Sequence, residues 1–454
     1  MYKDKLIHFI GIGGISMSGI AEILLSKGSI ISGSDMQNSK QIEELIKKGA
    51  NIIIGEDPNL IDKAEIVVYT AAIKDDNKEL IRAKELHKEL HERAEFLGMI
   101  TKEYENVICI SGTHGKSTTT GMISTIFLNS NNPTIQIGAY LPKIHANYYV
   151  GDNKYFIMEA CEYVDSFLKF FPTTAIILNI DDGHLDYFGN IENVKKSFSK
   201  YANLVPENGN IILNADDNNT MSIDINNDKN IITYGKNNNA NVMAKNISFD
   251  NMGYSEFDVY HNNELYIHIK LNVLGKHNIY NALAAISTCI IYKINKEDIV
   301  KGLEEYKGVE RRFEFIGKYK DNILVYDDYA HHPTEIKSTV NSVKNIKCNH
   351  NWVVFQSHTY SRTIEHLNEF ADVLKEFDNI IIAPIYPARE KNIWNVKEDD
   401  LVNLIKPNNK NVLYIDNFDK IVSYLKDNLK ENDLLITVGA GPVNEVGLKL
   451  LGKK

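Results

Sequence analysis

The sequence predicts an α/β protein made of three α/β units, and three observations lead there. Strand-like and helix-like periodicities alternate along most of the 454 residues, as when parallel strands are joined by crossover helices. Glycine-rich turns link a short apolar run to a helical run twice, at residues 11–14 and 112–115. The alternation also restarts twice, after polar residues 101–106 and near residue 308. A chain of this length can bury several cores. Its 43% hydrophobic and 24% charged content suits a soluble globular protein.

Taken in order, residues 5–10 read as a strand, 15–26 as a helix, 29–32 as a strand, 40–48 as a helix and 65–69 as a strand. The polar stretch 101–106 then leads into the next unit, whose strands are 107–110, 155–159, 175–179 and 211–214. Asparagine-rich residues 216–241 read as surface loops and short irregular pieces. Residues 256–261 and 264–271 alternate apolar with polar across His261-Asn262-Asn263-Glu264, which predicts a hairpin and a small antiparallel patch. A helix over 278–292 follows Gly275-Lys276-His277. The third unit has strands at 323–326, 352–355, 379–382, 412–415 and 434–437, separated by amphipathic helical stretches. The expected domains are therefore 1–105, 106–308 and 309–454. No internal repeat or coiled-coil pattern is visible.

The most informative stretch is Ser111-Gly112-Thr113-His114-Gly115-Lys116-Ser117-Thr118-Thr119-Thr120, between the apolar run Val107-Ile108-Cys109-Ile110 and a helical run through Met122, Ile123, Ile126 and Phe127. A strand, a tight glycine turn and a helix start make a phosphate cradle, because free backbone N–H groups and the helix dipole face an anion. Residues Gly112, Thr113, His114, Gly115, Lys116, Ser117 and Thr118 are expected to hold a nucleoside triphosphate. Lys116 can reach the β- and γ-phosphates, and the Ser117 hydroxyl can ligate Mg²⁺. The loop is shorter than the general G-x-x-x-x-G-K-[ST] form, since Ile110 stands where the first glycine would be.

A second glycine turn, His8-Phe9-Ile10-Gly11-Ile12-Gly13-Gly14-Ile15-Ser16-Met17-Ser18-Gly19, joins the first strand to the first helix, with Asp35 ending the next strand. It resembles a dinucleotide fingerprint, but Ser16 occupies the third glycine position. Residue types alone leave open a nicotinamide cofactor or another diphosphate-bearing nucleotide.

Other classes are excluded by composition. No apolar run approaches the eighteen residues of a membrane span, and the N-terminus enters a strand directly, so no leader is expected. A net charge of −10 argues against nonspecific nucleic-acid binding. Cys109, Cys161, Cys289 and Cys348 lie far apart without metal spacing, which fits a reducing cytoplasm.

The ordered set of motifs resembles the Mur ligase family, most closely its alanine-adding branch, over nearly the whole chain. It comprises residues 8–19 and 111–120, Glu159-Ala160-Cys161-Glu162, residues 179–187 with His184, residues 275–281, Glu310-Arg311-Arg312-Phe313, residues 327–333 and residues 355–363. The resemblance implies a Rossmann-like N-terminal domain for a UDP-sugar, a central P-loop ATPase domain and a Rossmann-like C-terminal domain for an amino acid. It implies an ATP-dependent ligase joining L-alanine to the lactyl carboxylate of UDP-N-acetylmuramate through an acyl phosphate, in peptidoglycan precursor synthesis. Siblings that add a preformed peptide, a nicotinamide dehydrogenase and a nucleotide-switch protein are the competing readings.

Site residues follow from the same resemblance. Gly11, Gly13, Gly14, Ile15, Ser34, Asp35, Thr70 and Ala71 would border the UDP-sugar. Ser117, Glu159 and His184 would hold two Mg²⁺ ions, with Mn²⁺ tolerated, although residue type alone makes His184 a loop histidine. His277, Asn278 and Asn281 would border the nucleotide, where residue type reads the asparagines as helix caps. Arg312 and Asp328 would reach ATP, while Arg311 could equally be a surface partner. Tyr329, His331, His358 and Arg362 would hold alanine, with Arg362 gripping its carboxylate and His331 assisting proton loss. Lys116, Glu159, His184 and His331 are the expected catalytic groups, and a monomer or homodimer is expected.

Three departures stand out. Residues 159–165 differ from the commoner Glu-Ala-Asp-Glu-Ser-Asp, so only Glu159 is carried over. Gly439-Ala440-Gly441-Pro442 lacks a usual acidic residue, and no lysine stands in register after His184 for carbamylation.

Overall fold

The computed structural model describes residues 2–70, 72–182, 185–237, 239–250, 253–320, 322–388 and 390–453, the side chains of residues 185 and 186 excepted. Contacts divide the chain into two compact units. One is Met1–Lys245 with Val259–Ile267 and Tyr280–Glu305; the other is Asn246–Asp258 with His268–Ile279 and Tyr306–Lys454.

The first sheet is wholly parallel and comprises β1 (Leu6–Ile10), β2 (Ile30–Asp35), β3 (Asn51–Ile54), β4 (Ile66–Tyr69) and β5 (Glu89–Glu92) in the order β3-β2-β1-β4-β5. The helices are α1 (Ile15–Ser26), α2 (Lys40–Lys47), α3 (Asn59–Lys63), α4 (Lys78–Glu85) and α5 (Arg93–Thr101). The chain winds outward from β1 to β3 and returns to β4 on the other side. The loop after β1 therefore opens at the switch point, where such sheets bind ligands.

The second sheet has ten strands: β6 (Asn106–Ser111), β7 (Thr134–Leu141), β8 (Ala146–Tyr149), β9 (Tyr155–Glu159), β10 (Thr174–Ile177), β11 (Asn210–Asn214), β12 (Asn230–Gly235), β13 (Val242–Phe249), β14 (Tyr254–His261) and β15 (Glu264–Leu274). Their order is β15-β14-β13-β12-β11-β10-β6-β9-β7-β8. β6 lies between β9 and β10 and is buried almost throughout, which is why it reads as a continuous apolar run. Helix α6 (Lys116–Phe127) follows it. The expected hairpin is present, and Asn262 and Asn263 at its tip both take positive φ (50° and 69°). The reading of residues 216–241 as loops is corrected by β12, which pairs in parallel with β11 and β13. Of its two ladder partners only β11 was expected from the sequence.

The third sheet runs β16-β17-β21-β18-β19-β20, from β16 (Glu314–Tyr319), β17 (Ile323–Asp328), β18 (Asn351–Phe355), β19 (Asn379–Ile382), β20 (Val412–Tyr414) and β21 (Leu434–Val438). All pairs are parallel except β16 with β17, and β16 was not expected. Phe9, Phe96, Phe156, Phe167 and Phe198 belong to one apolar cluster that serves both the first and second sheets. No helix among the described residues is long and apolar enough to cross a membrane.

Candidate active site

The phosphate loop leaves β6 through two glycines that sequence chemistry requires. Gly112 (φ 137°) and Gly115 (φ 88°) lie in backbone regions that side chains disfavour. A Cβ on Gly115 would also stand 2.7 Å from Asn281 Oδ1, so Asn281 borders the loop. Gly115 caps α6 with no side-chain cap and no acidic residue in the first turn, leaving the helix N-terminus open to an anion. Asn179 braces the loop: its Oδ1 accepts from His114 N at 2.8 Å, and its Nδ2 donates to His114 O at 3.0 Å. Asp181 N donates to Thr113 Oγ1 at 3.0 Å. Ser117 is buried and Thr118 half-buried on the first turn.

Lys116 donates to Gly112 O at 2.5 Å and Thr113 O at 3.2 Å, and it lies 3.0 Å from Glu162 Oε2. Burial opposes its charge, yet the neighbouring Glu162 outweighs that and holds its pKa above the ordinary lysine value. Glu162, only 1% exposed, is a candidate site residue that sequence reasoning missed. Its signal was the second acid of Glu159-Ala160-Cys161-Glu162. Glu159 ends β9 and accepts from Gly138 N at 2.7 Å. The Ser117 hydroxyl and Glu159 carboxylate are hard oxygen donors, so these residues fit Mg²⁺. His184 and Ala71 lie outside the described residues. Among those described, no group of three or more His, Cys, Asp or Glu side chains is placed to hold a metal.

The glycine loop after β1 is closed on itself. Gly11 N and Ile12 N donate to Ser34 O at 2.9 and 3.0 Å, and Gly13 N donates to Asp35 Oδ2 at 2.9 Å. Gly14 N reaches Gly11 O at only 3.4 Å, and Gly14 caps α1. The amides left for an anion are thus those around Ile15, in the first turn of α1. Thr70 packs over Gly11, where an added Cβ would meet Thr70 Cγ2 at 2.8 Å. Ser34 is buried and donates to Glu79 through its hydroxyl. Ser16, the residue that breaks the fingerprint, accepts from Gln136 Nε2 at 2.7 Å and from Arg93 Nη1 at 3.2 Å. Arg93 and Gln136 were not found from sequence, since nothing in local spacing ties them to Ser16.

In the helix His277–Ile291 the capping reading of Asn278 is corrected. Asn278 lies within the helix and its Nδ2 donates back to Leu274 O at 2.6 Å. The His277 ring lies beside Gly275, whose added Cβ would meet His277 Cε1 at 2.5 Å.

The third sheet gathers the remaining candidates beyond β17 and β18. Asp328 is buried, accepts from Thr339 Oγ1 at 2.5 Å and Ala330 N at 3.3 Å, and burial raises its pKa to about 6. Arg312 lies 3.7 Å from Glu335 and 5.6 Å over the Tyr329 ring. Arg311 is not a surface partner. It pairs with buried Asp327 at 2.9 Å and donates to the carbonyls of Gly439 at 2.6 Å and Gly441 at 3.0 Å. The two glycines of Gly439–Pro442 thus supply backbone acceptors, and the Pro442 departure takes no part in these bonds.

Tyr329, His331, His358 and Arg362 do come together. The ring of His331 lies 5.5 Å from Tyr329 and 6.0 Å from His358. Arg362, on the helix Tyr360–Glu365, has Nη1 3.2 Å from His358 Nδ1. His358 precedes that helix, which Thr359 (φ 65°) caps. Burial lowers the pKa of His331; burial and Arg362 bring that of His358 to about 4. Both imidazoles are therefore neutral near pH 7. Tyr329 O accepts from His331 Nδ1 at 3.0 Å, which leaves Nε2 as a free base. The result is the Arg362 guanidinium beside two neutral imidazoles, with Arg312 over Tyr329 and Glu335 3.4 Å from His331 Nδ1, an arrangement suited to an amino acid's carboxylate and amine.

The chain matches the Mur ligase family catalytic domain over residues 6–105, the Mur ligase middle domain over 110–289 and the Mur ligase glutamate ligase domain over 311–441. It is 48% identical to the UDP-N-acetylmuramate–L-alanine ligase of Caldanaerobacter subterraneus subsp. tengcongensis, over 99% of this chain and 98% of that protein. The like-named protein of Acetivibrio thermocellus is 49% identical, over 100% of this chain and 97% of its own length. Among solved structures, the UDP-N-acetylmuramate-alanine ligase of Thermotoga maritima gives a TM-score of 0.82 at 26% identity, covering 98% of both chains. A murein peptide ligase from Psychrobacter arcticus gives 0.70 at 24% identity, over 99% of this chain and 98% of that one, a likeness of fold.

Proposed function

The chain belongs to the Mur ligase family, and from that premise we propose that it joins L-alanine to the lactyl carboxylate of UDP-N-acetylmuramate at the expense of ATP. The observation that carries this reading is the near-complete match to relatives of that name. The fold alone would serve a sibling that adds a preformed peptide equally well.

A carboxylate resists attack by an amine until it is activated. Transfer of the γ-phosphoryl group from ATP to a lactyl carboxylate oxygen breaks the bond to the β,γ-bridging oxygen, giving ADP and an acyl phosphate. The alanine amine then attacks the acyl carbon, the C–O bond to phosphate breaks, and phosphate leaves with that electron pair. The obstacle to the first step is charge. A carboxylate ~3.5 Å from a phosphate oxygen is repelled by about 5 kcal/mol at an effective dielectric near 20. Lys116 opposes this, and the open N-terminus of α6 adds to it. Ser117 and Glu159 would hold Mg²⁺, which when bound neutralises phosphate charge; a second ion at His184 and tolerance for Mn²⁺ belong to the proposal.

Gly112–Thr118 and Asn281, with His277, Asn278, Arg312 and Asp328, are assigned to ATP. Gly11–Ile15, Ser34, Asp35, Thr70 and Ala71 are assigned to the UDP-sugar. Arg362 grips alanine's carboxylate, flanked by Tyr329 and His358, and His331 Nε2 accepts the amine proton. The domains are taken as 1–105, 106–308 and 309–454, in a cytoplasmic monomer or homodimer. Incubating the protein with UDP-N-acetylmuramate, ATP, Mg²⁺ and single amino acids or the peptide, then weighing products by mass spectrometry, tests the reading. A product heavier by one alanine residue is expected. Peptide addition in place of alanine, or no ADP release, overturns it.

A further inference from the structure

The closed glycine loop poses a problem for any diphosphate bound there. With Gly11, Ile12 and Gly13 amides engaged internally, the loop leaves only the first turn of α1, worth about half a positive charge. A diphosphate diester carries two negative charges, so a cation beside this turn would add to what the helix end provides. Arg93, the first residue of α5, stands beside this turn with Nη1 donating to Ser16 Oγ. It is half-buried, and no carboxylate pairs with it among the described residues. In a chain with 60 acidic and 50 basic residues, a half-buried guanidinium without a counter-ion marks a place for an anionic ligand.

Gln136 supplies a second, independent observation. Its Nε2 donates to Ser16 Oγ and also reaches Ser16 O at 3.3 Å. A backbone carbonyl only accepts, so this contact fixes the amide orientation and leaves Oε1 as the remaining group. Gln136 is 7% exposed, and Oε1 has no hydrogen-bond partner. Ser16, Arg93 and Gln136 wall a cavity of about 160 Å³ that extends to Glu159 at the end of β9. Its lining therefore offers a cation, an unpaired acceptor and a route toward the phosphate loop.

Resting on the ligase reading above, we infer that Arg93 binds the diphosphate of the sugar nucleotide and that Gln136 Oε1 accepts a hydrogen bond from an N–H or O–H of its hexosamine. Ser16 holds both side chains in place, which explains a hydroxyl where the fingerprint has glycine. The lactyl arm then points along the cavity toward Glu159.

Calorimetry on the full chain tests this with UDP-N-acetylmuramate, UDP and ATP–Mg²⁺ as separate titrants. Arg93→Ala should weaken UDP-N-acetylmuramate and UDP alike by about ten- to a hundredfold and leave ATP unchanged. Arg93→Lys should lose less, since it keeps the charge but not the fork. Gln136→Leu should weaken UDP-N-acetylmuramate while sparing UDP. In turnover, the KM for the sugar nucleotide should rise more than kcat falls. Unchanged affinities in Arg93→Ala, or an equal loss of ATP binding in both Arg93 variants, overturn the inference. A loss confined to UDP-N-acetylmuramate would place Arg93 on the lactyl carboxylate and overturn the diphosphate assignment. Failure of the unaltered protein to bind any UDP compound would instead overturn the ligase reading.

Discussion

Replacing Lys116 by Met should injure the protein in two separable ways. Lys116 Nζ lies 3.0 Å from Glu162, with side-chain exposures of 16% and 1%. At that distance the attraction is about 5–6 kcal/mol at an effective dielectric of 20, much of it offset by desolvating both charges. Removing one partner leaves the Glu162 carboxylate buried without its counter-charge, a change that costs about 3–5 kcal/mol. Against a total stability of about 5–15 kcal/mol, that is severe. The double variant Lys116→Met/Glu162→Gln should recover most of the stability, because a neutral amide carries no unpaired charge. Its turnover should stay a hundred- to a thousandfold low, roughly 3–4 kcal/mol, because the charge that meets the γ-phosphate is still missing. The lysine's contribution is present throughout the neutral range and is lost as pH rises through its raised pKa. Urea unfolding at pH 7 together with ADP release measures both effects. A single variant within about 1 kcal/mol of the unaltered protein in stability, and within about tenfold in turnover, would refute the argument.

Three further outcomes are expected. Arg362→Ala should raise the alanine KM by about ten- to a hundredfold while leaving the ATP KM nearly unchanged, because one charge-assisted contact is lost; equal shifts in both would refute it. Arg311→Ala should destabilise the protein by about 3–5 kcal/mol in chemical denaturation, by leaving Asp327 unpaired, and an unchanged midpoint would contradict that role. The lowered pKa of His358 gives stability that is present above its unfolded value near 6.5 and declines as pH falls toward about 4. His358→Asn should flatten thermal stability across that window, and an unchanged profile would count against the neutral imidazole.

Much of the candidate site was legible in the sequence because its signals are local. Gly112 and Gly115 announce positive φ between an apolar strand and a helix, and the loop forms where that pattern places it. Asn262-Asn263 announces a hairpin tip for the same reason. Asn278 was misread because a short polar residue near a helix start can cap an amide or donate to a carbonyl, and spacing does not choose between them. β12 went unseen because its stability comes from a ladder with β11 and β13 rather than from its own composition.

The sequence by itself determined the alternation of strands and helices, the two glycine loops, the family and the residue types available for phosphate, metal and amino acid. These depend on backbone sterics and near-neighbour periodicity, which are written along the chain. Only the tertiary structure decided which polar group meets which. It set Glu162 against Lys116, brought the carbonyls of Gly439 and Gly441 to Arg311, and gathered Arg93 and Gln136 on Ser16 across 77 and 120 residues of sequence. Such pairings arise from long-range packing, where a charge or amide takes the partner that burial leaves within reach.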